Sequence, residues 1–228
     1  MKRMLSIMST VMGLATPAAA QWLGMPAWNS PKGGTGVTFY GDYGAPNDSA
    51  GKGHAFGGRA ALGIGTITLT AGVASWKPEG QNARATTYGG TAAFRLIGGS
   101  LIPLSVSLQL GAGHNAMGTS GADTVPASTT VLGAVGVSVP LPTPGISIEP
   151  YVSPSIRYHK YSDLPAGSKD HQTHFGWVIG GNFSFGLVGI HVAYDSEKFD
   201  SGTPGVLSGT HGVLGVGADV GLRLPMGL

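Results

Sequence analysis

The sequence predicts an all-β fold, a closed antiparallel up-and-down barrel of about ten strands. Three observations lead to this prediction. From Gly34 onward, apolar residues recur at every second position in segments of roughly ten residues, each bounded by Gly, Pro, Asn, Asp or Ser. The joints between segments alternate strictly between short and long. Charged residues make up only 11% of the chain, against about 25% in ordinary soluble proteins, which indicates that part of the surface contacts something other than water.

Residues 1–20 have the three parts of a secretory signal peptide. Lys2 and Arg3 give a positive start, Leu5 to Leu14 an apolar centre, and Ala18 to Ala20 a small-residue cleavage site. The apolar run is too short, and too interrupted by polar residues, for a membrane-spanning helix. We therefore predict that the chain is exported.

Without the leader, the chain carries 11 basic and 11 acidic residues and is formally neutral. It has no basic tract, so a nucleic-acid partner is not predicted. Cysteine is absent, which excludes a disulfide framework and a thiolate metal site.

The alternation is clearest between Ile146 and His159. Val152 and Ile156 fall on one face, while Ser153 and Arg157 fall on the other. Only a period of two residues, that of a β-strand, sorts side chains in this way. The ten predicted strands span residues 35–43, 54–64, 67–76, 86–97, 104–114, 129–139, 146–159, 172–185, 190–199 and 210–224.

The joints place all tight turns at one end of the barrel and all long loops at the other. Four joints are short, namely 65–66, 98–100, 140–145 and 186–189. Five are long and polar, namely 44–53, 77–85, 115–128, 160–171 and 200–209. An even strand number with this asymmetry satisfies closure without an exposed edge.

The polar face of the strands is mostly Gly, Ser, Thr and Ala, with four acids and four arginines but no lysine. In water such a face would be rich in Lys and Glu. Arginine suits paired, buried ions, whereas the strongly hydrated lysine ammonium belongs in water. We therefore place the polar face inside and the apolar face in lipid. The predicted lumen charge network is Asp42, Arg59, Arg95, Glu149, Arg157, Asp195, Asp219 and Arg223.

The leader, the two-residue alternation of apolar and polar positions, and the separation of short turns from long loops carry a resemblance. From Gly34 to Leu224, the chain resembles the small bacterial outer-membrane β-barrel proteins of eight to twelve strands. The resemblance implies an outer-membrane location, a periplasmic segment at residues 21–33 and a barrel domain at 34–228. It implies periplasmic short turns and extracellular long loops. It also implies two partners, outer-membrane lipids and the assembly machinery. Family members commonly end on an aromatic residue, whereas this chain ends on Leu228.

Two further features of the strands carry expectations. Pro150 and Pro154 lie inside the seventh predicted strand, where a missing N–H predicts a bulge or local break, or alternatively an opening of the sheet. Several strand aromatics are candidates for interfacial girdles or are ordinary strand residues. These aromatics are Tyr43, Tyr88, Tyr158, Trp177 and Tyr194.

Histidines cluster at the long-loop ends of the predicted strands. The two-residue alternation along their strands predicts that His159, His174 and His211 point inward, near Glu197. Neutral imidazoles and a carboxylate are suitable ligands for zinc or nickel, so these three are candidate metal ligands at the extracellular rim. The alternative is that they are rim residues without a ligand, since histidine also suits a half-hydrated environment.

The function predicted from these features is that of an integral outer-membrane barrel with a structural, surface-interaction or narrow-pore role. One alternative is a secreted soluble β-barrel that binds an apolar ligand inside. Another is a barrel enzyme with a rim active site, either lipid-modifying or resembling the omptin proteases. For the latter the nearest counterparts are Asp195, Glu197, Asp200 and His211, with no paired-aspartate motif on the opposite wall. No catalytic residue is assigned, no cofactor beyond that metal is expected, and the extracellular partner stays open.

Overall fold

The computed structural model describes residues 36–99, 102–120, 123–162, 164–203, 206 and 208–223. The predicted signal peptide at 1–20 and the predicted periplasmic segment at 21–33 lie outside these residues. These residues form ten long strands, three short ones and a 3₁₀ helix at Asp48–Ala50. The long strands are β1 (Gly36–Pro46), β2 (His54–Ile64), β3 (Ile67–Lys77), β4 (Ala85–Gly99), β5 (Ile102–Ala116), β8 (Ser128–Ser138), β10 (Ile146–Tyr161), β11 (His171–Phe185), β12 (Val188–Phe199) and β13 (Gly209–Arg223). The short strands are β6 (Gly118–Ser120), β7 (Asp123–Val125) and β9 (Leu141–Thr143).

The ten long strands form a closed antiparallel barrel. Each pairs with the next in chain order, from β1 through β5, β8, β10, β11 and β12 to β13. Strand β1 then pairs over its whole length with β13, from Gly36 opposite Arg223 to Pro46 opposite Val213. This up-and-down ring confirms the predicted fold class, and it leaves no open edge along the ten long strands.

Side chains alternate between the two faces as predicted. On β10, Arg157 and His159 are buried, while Ile156 and Tyr158 are exposed. Apart from an irregularity in β4, the same alternation holds along the other long strands, because successive Cβ atoms of a strand point to opposite sides. Polar side chains therefore line the lumen and apolar side chains cover the outside.

Tight turns gather at one end and long loops at the other. Gly65 and Gly186 start two of the tight turns with φ of 60° and 66°, values that only glycine adopts readily. The three short strands were not predicted. Strands β6 and β7 pair as a hairpin inside a long loop, and β9 extends the sheet beside β10 at the turn end.

The prolines of β10 produce a local break without a bulge. Strand β10 keeps one register with β11 from Ser147 to Lys160. On the other side, the pairing with β8 omits Ser153 and Pro154 and resumes in the same register at Ser155. Both prolines lie on the outward face, and the sheet does not open here. The prediction of a local break is thus confirmed, and the opening of the sheet is not.

A register irregularity occurs instead between β4 and β5. The pairing shifts between Arg95 and Ile97 and again between Ile97 and Gly99. As a result, Leu96 and Ile97 both face outward, 52% and 48% exposed. A bulge of this kind re-aims side chains and increases strand twist, which helps the barrel to curve near its turn end.

The long loops fold over their end of the barrel. Trp76, at the long-loop end of β3, is buried against Ala55, Ala83 and Ala85, and against Val125 of the β6–β7 hairpin. A second cluster of Tyr161, Phe199, Val206 and Leu164 joins two other long loops. The described residues contain no helix with the length and apolar character needed to cross a membrane.

Candidate functional site

The predicted charge network lies inside the barrel, divided into separate clusters rather than one. Five of its members are buried, namely Asp42, Arg59, Glu149, Arg157 and Asp195. Arg95 and Asp219 are partly buried, and the side chain of Arg223 lies outside the described residues.

The first cluster centres on Arg157 of β10. Its Nη2 donates to Asp195 Oδ1 at 2.7 Å, and its Nη1 donates to Glu197 Oε2 at 2.9 Å. His159 Nε2 donates to the other oxygen of Glu197 at 2.7 Å, and His159 Nδ1 shares a hydrogen bond of 2.9 Å with Thr130 Oγ1. The ion-pair side chains are at most 1% exposed. Such a buried network is stable only while every member keeps its partners.

Gly176, on the strand between Arg157 and Glu197, makes room for the ion pair between these two residues. Arg157 is on β10 and Glu197 on β12, so β11 runs between the two partners. Gly176 of β11 lies directly opposite Glu197. A Cβ atom added at Gly176 would meet the Cζ, Nε and Nη1 atoms of Arg157. Next-nearest strands lie about 10 Å apart, so the Arg157 side chain must reach across the inner face of β11. Its guanidinium does so directly over Gly176.

The second cluster repeats this arrangement on the neighbouring strands, where β12 contributes to both clusters. Arg59 Nε donates to Asp42 Oδ2 at 2.6 Å, and His191 Nε2 donates to Asp42 Oδ1 at 2.6 Å. Gly217 of β13 lies opposite both Asp42 and His191, and a Cβ there would come within 2.5 Å of the imidazole. The guanidinium of Arg59 also lies 4.2 Å from the centre of the Tyr40 ring, in a cation–π contact.

A third, smaller cluster holds Glu149 near the turn end of β10. Its carboxylate accepts hydrogen bonds from Ser138 Oγ at 2.8 Å and from Asn182 Nδ2 at 3.4 Å. These donors come from β8 and β11, the two strands that flank β10.

The three candidate metal ligands all point inward, and they surround an aromatic ring. The ring centroids of His159, His174 and His211 lie 5.1, 4.9 and 4.3 Å from that of Phe199. His159 uses both ring nitrogens in hydrogen bonds, and His174 Nε2 bonds Gln172 Oε1 at 2.6 Å. Within the described part of the chain, no three His, Cys, Asp or Glu side chains are arranged to hold a metal ion. In this geometry the three imidazole rings pack around the ring of Phe199.

The residues considered as omptin counterparts have other partners. Asp195 and Glu197 both bind Arg157. The ring of His211 stacks on Phe199, and the backbone N–H of Asp200 donates to Gln172 Oε1 at 3.3 Å. The arrangement can neutralise buried charge and tie neighbouring strands together, but it assigns no nucleophile.

Sequence reasoning missed several members of these clusters. His191 was not assigned to the charge network, yet it bonds Asp42, the partner of Arg59. Glu197 was left out of the charge network, although it is as buried as Asp195. Both share the inward parity of Asp195 on β12, a signal that the sequence does contain.

Comparison with solved structures finds other β-barrels at low sequence identity. The N-terminal β-barrel domain of Pseudomonas aeruginosa OprF is 11% identical, with a TM-score of 0.39 over 84% of this chain and 100% of that one. Neisserial surface protein A is 16% identical, with a TM-score of 0.35 over 82% of this chain and 96% of that one. The outer membrane protease OmpT of Escherichia coli is 9% identical, with a TM-score of 0.39 over 86% of this chain and 99% of that one.

No protein-family model matches the sequence, and no curated protein matches it.

Proposed function

We propose that the chain is an integral outer-membrane barrel with a filled lumen, which acts as a structural or surface-interaction protein rather than as an open pore. The observation that carries this proposal is the distribution of side chains between the two faces of one closed sheet. Each of the ten long strands exposes at least one large apolar side chain to the outside, whereas the strand-borne acids turn inward.

The outer surface supports a position in lipid. Phe39, Leu110 and Phe175 are 53%, 69% and 58% exposed, although each lies well inside its strand. Continuous apolar surface of this extent is not typical of a soluble monomer. A bilayer solvates it, and closure of the sheet leaves no open strand edge among the ten long strands in the hydrocarbon region.

The interior supports a filled lumen and argues against the soluble ligand-binding alternative. An apolar ligand needs a pocket lined mainly by apolar side chains. Here the inner wall carries the Arg157 and Arg59 clusters and buried hydroxyls such as Thr70 and Thr91. The clusters around Trp76 and Phe199 also bring residues of the long loops together at one end of the barrel.

A charge placed on the outer wall tests the position in lipid. Leu110 lies near the middle of β5 and faces outward, so Leu110→Lys should destabilise the folded chain in vesicles by about 2–4 kcal/mol. Met117 lies just beyond the end of β5 and is 45% exposed. The control variant Met117→Lys makes a similar apolar-to-charged change outside the bilayer and should have little effect.

Unfolding in urea, followed by heat-modifiable gel migration, measures both variants. Equal stabilities for the two would contradict the proposal, as would recovery of the wild-type chain as a soluble periplasmic monomer. The second result would favour the secreted soluble barrel.

A further inference from the structure

Charged residues of the ten long strands are sorted by type between the two faces. All five acids turn inward, and so do the described side chains of Arg59, Arg95 and Arg157. The three lysines, Lys77, Lys160 and Lys198, face outward, each within the last two residues of its strand at the long-loop end. The outer wall therefore carries its positive charge at one end, directly beyond the apolar band.

Part of this charge lies in an ordered row across five strands. In the register of neighbouring strands, Tyr88 lies opposite His114, His114 opposite Thr129, Thr129 opposite Lys160, and Lys160 opposite His171. All five side chains face outward. With strands about 4.8 Å apart, the row from His114 to His171 is about 15 Å long, enough for one or two lipid headgroups.

Local hydrogen bonds hold the two imidazoles of the row in place. His114 Nδ1 bonds Thr129 Oγ1 at 3.0 Å, and His171 Nδ1 donates to Asp170 Oδ1 at 2.8 Å. The hydrogen bond that His171 donates to Asp170 lowers the pKa of the Asp170 carboxyl. Over the described residues, neither Nε2 atom has a hydrogen-bond partner. The Lys160 ammonium makes no direct salt bridge, and its charge acts on the Asp170 carboxyl from a greater distance. The row therefore has hydrogen-bond donors available for a ligand. The Asp170 carboxyl is the acidic group next to the row.

We propose that the row His114, Thr129, Lys160 and His171 binds the phosphate of an anionic lipid headgroup in the leaflet on the long-loop side. This inference rests on the proposed membrane position of the chain. A lysine just beyond an apolar band places its ammonium at headgroup height, and Tyr158, two residues from Lys160 on the same face, packs at the boundary below it. A phosphate matches the lysine charge and the neighbouring hydroxyl and imidazole donors.

Lipid retention tests the site. The full chain is reconstituted in nanodiscs that contain phosphatidylcholine in excess over phosphatidylglycerol, then extracted in mild detergent, and the retained lipids are counted by class. The wild type should retain phosphatidylglycerol above its bulk proportion. Lys160→Ala should weaken that retention about fivefold, and Lys160→Arg should preserve it.

Lys52→Ala is the matched control. Lys52 is an exposed lysine in the first long loop, paired with Asp48 and Glu79 rather than placed on the wall, so its loss should leave retention unchanged. Equal retention by the wild type and Lys160→Ala overturns the proposal. So does binding of inorganic phosphate in detergent with the same dependence on Lys160, which would indicate a site for a soluble anion. If the wild type fails to insert into nanodiscs at all, the proposed function fails, and this inference fails with it.

Discussion

Replacing Gly176 by alanine should destabilise the barrel much more than a methyl group normally does on a strand. The added Cβ would occupy the space of the Arg157 guanidinium. If the guanidinium moves but keeps its bonds, the cost is about 1–3 kcal/mol. If it loses Asp195 or Glu197, the cost rises to about 3–5 kcal/mol, because a buried charge is left without its partner. We expect a loss of about 3 kcal/mol, since both ion pairs are short and fully enclosed.

Gly41→Ala is the matched control for this variant. Gly41 lies on the outer face of β1 and has no atom within 4 Å of an added Cβ. Its replacement should change the free energy of unfolding by no more than about 0.5 kcal/mol. Urea titration of both variants in vesicles measures the difference. In an Arg157→Ala background, Gly176→Ala should cost at least about 1 kcal/mol less than it does alone. Equal effects of Gly176→Ala and Gly41→Ala, or additivity with Arg157→Ala, would refute the role assigned to Gly176.

Two further predictions concern the lumen and its histidines. In planar bilayers the full chain should conduct weakly or not at all, because the Arg157 and Asp42 clusters fill the inside; large, stable, weakly selective channels would contradict this. Zinc or nickel should leave the melting temperature unchanged, because His159 already uses both nitrogens. A metal-dependent rise in melting temperature that His211→Ala abolishes would instead support the metal site predicted from the sequence.

The faces of the strands could be predicted from the sequence because a period of two residues is a local property. Parity alone places Arg157 and Asp195 inside and Ile156 outside, and the structure agrees. The strand bounds differ from the predicted ones by about three residues at most. The positions of the tight turns were also predictable from local sequence, because Gly65 and Gly186 lie at two of these turns.

The contacts inside the lumen could not be predicted in the same way, because they depend on register across strands that are distant in sequence. The pairing of Asp42 with His191 requires β1 to close on β13 and β13 to pair with β12 in one particular register. The bulge of β4 and the fold of the loops over Trp76 depend on packing that no local period encodes. Parity predicted the inward direction of the three histidines, but not the ring of Phe199 between them.

Glycine connects the shape of this barrel to its chemistry. A side-chain bond between next-nearest strands must cross the strand between them. The Arg157–Glu197 ion pair does so at Gly176, and the Asp42–His191 hydrogen bond does so at Gly217. Because ions that bridge strands in this way occupy the lumen, the surfaces left for a partner are the long loops and the outer wall. The outward row around Lys160 lies where these two surfaces meet, which makes the headgroup region at that end the part of the membrane that this chain is best suited to recognise.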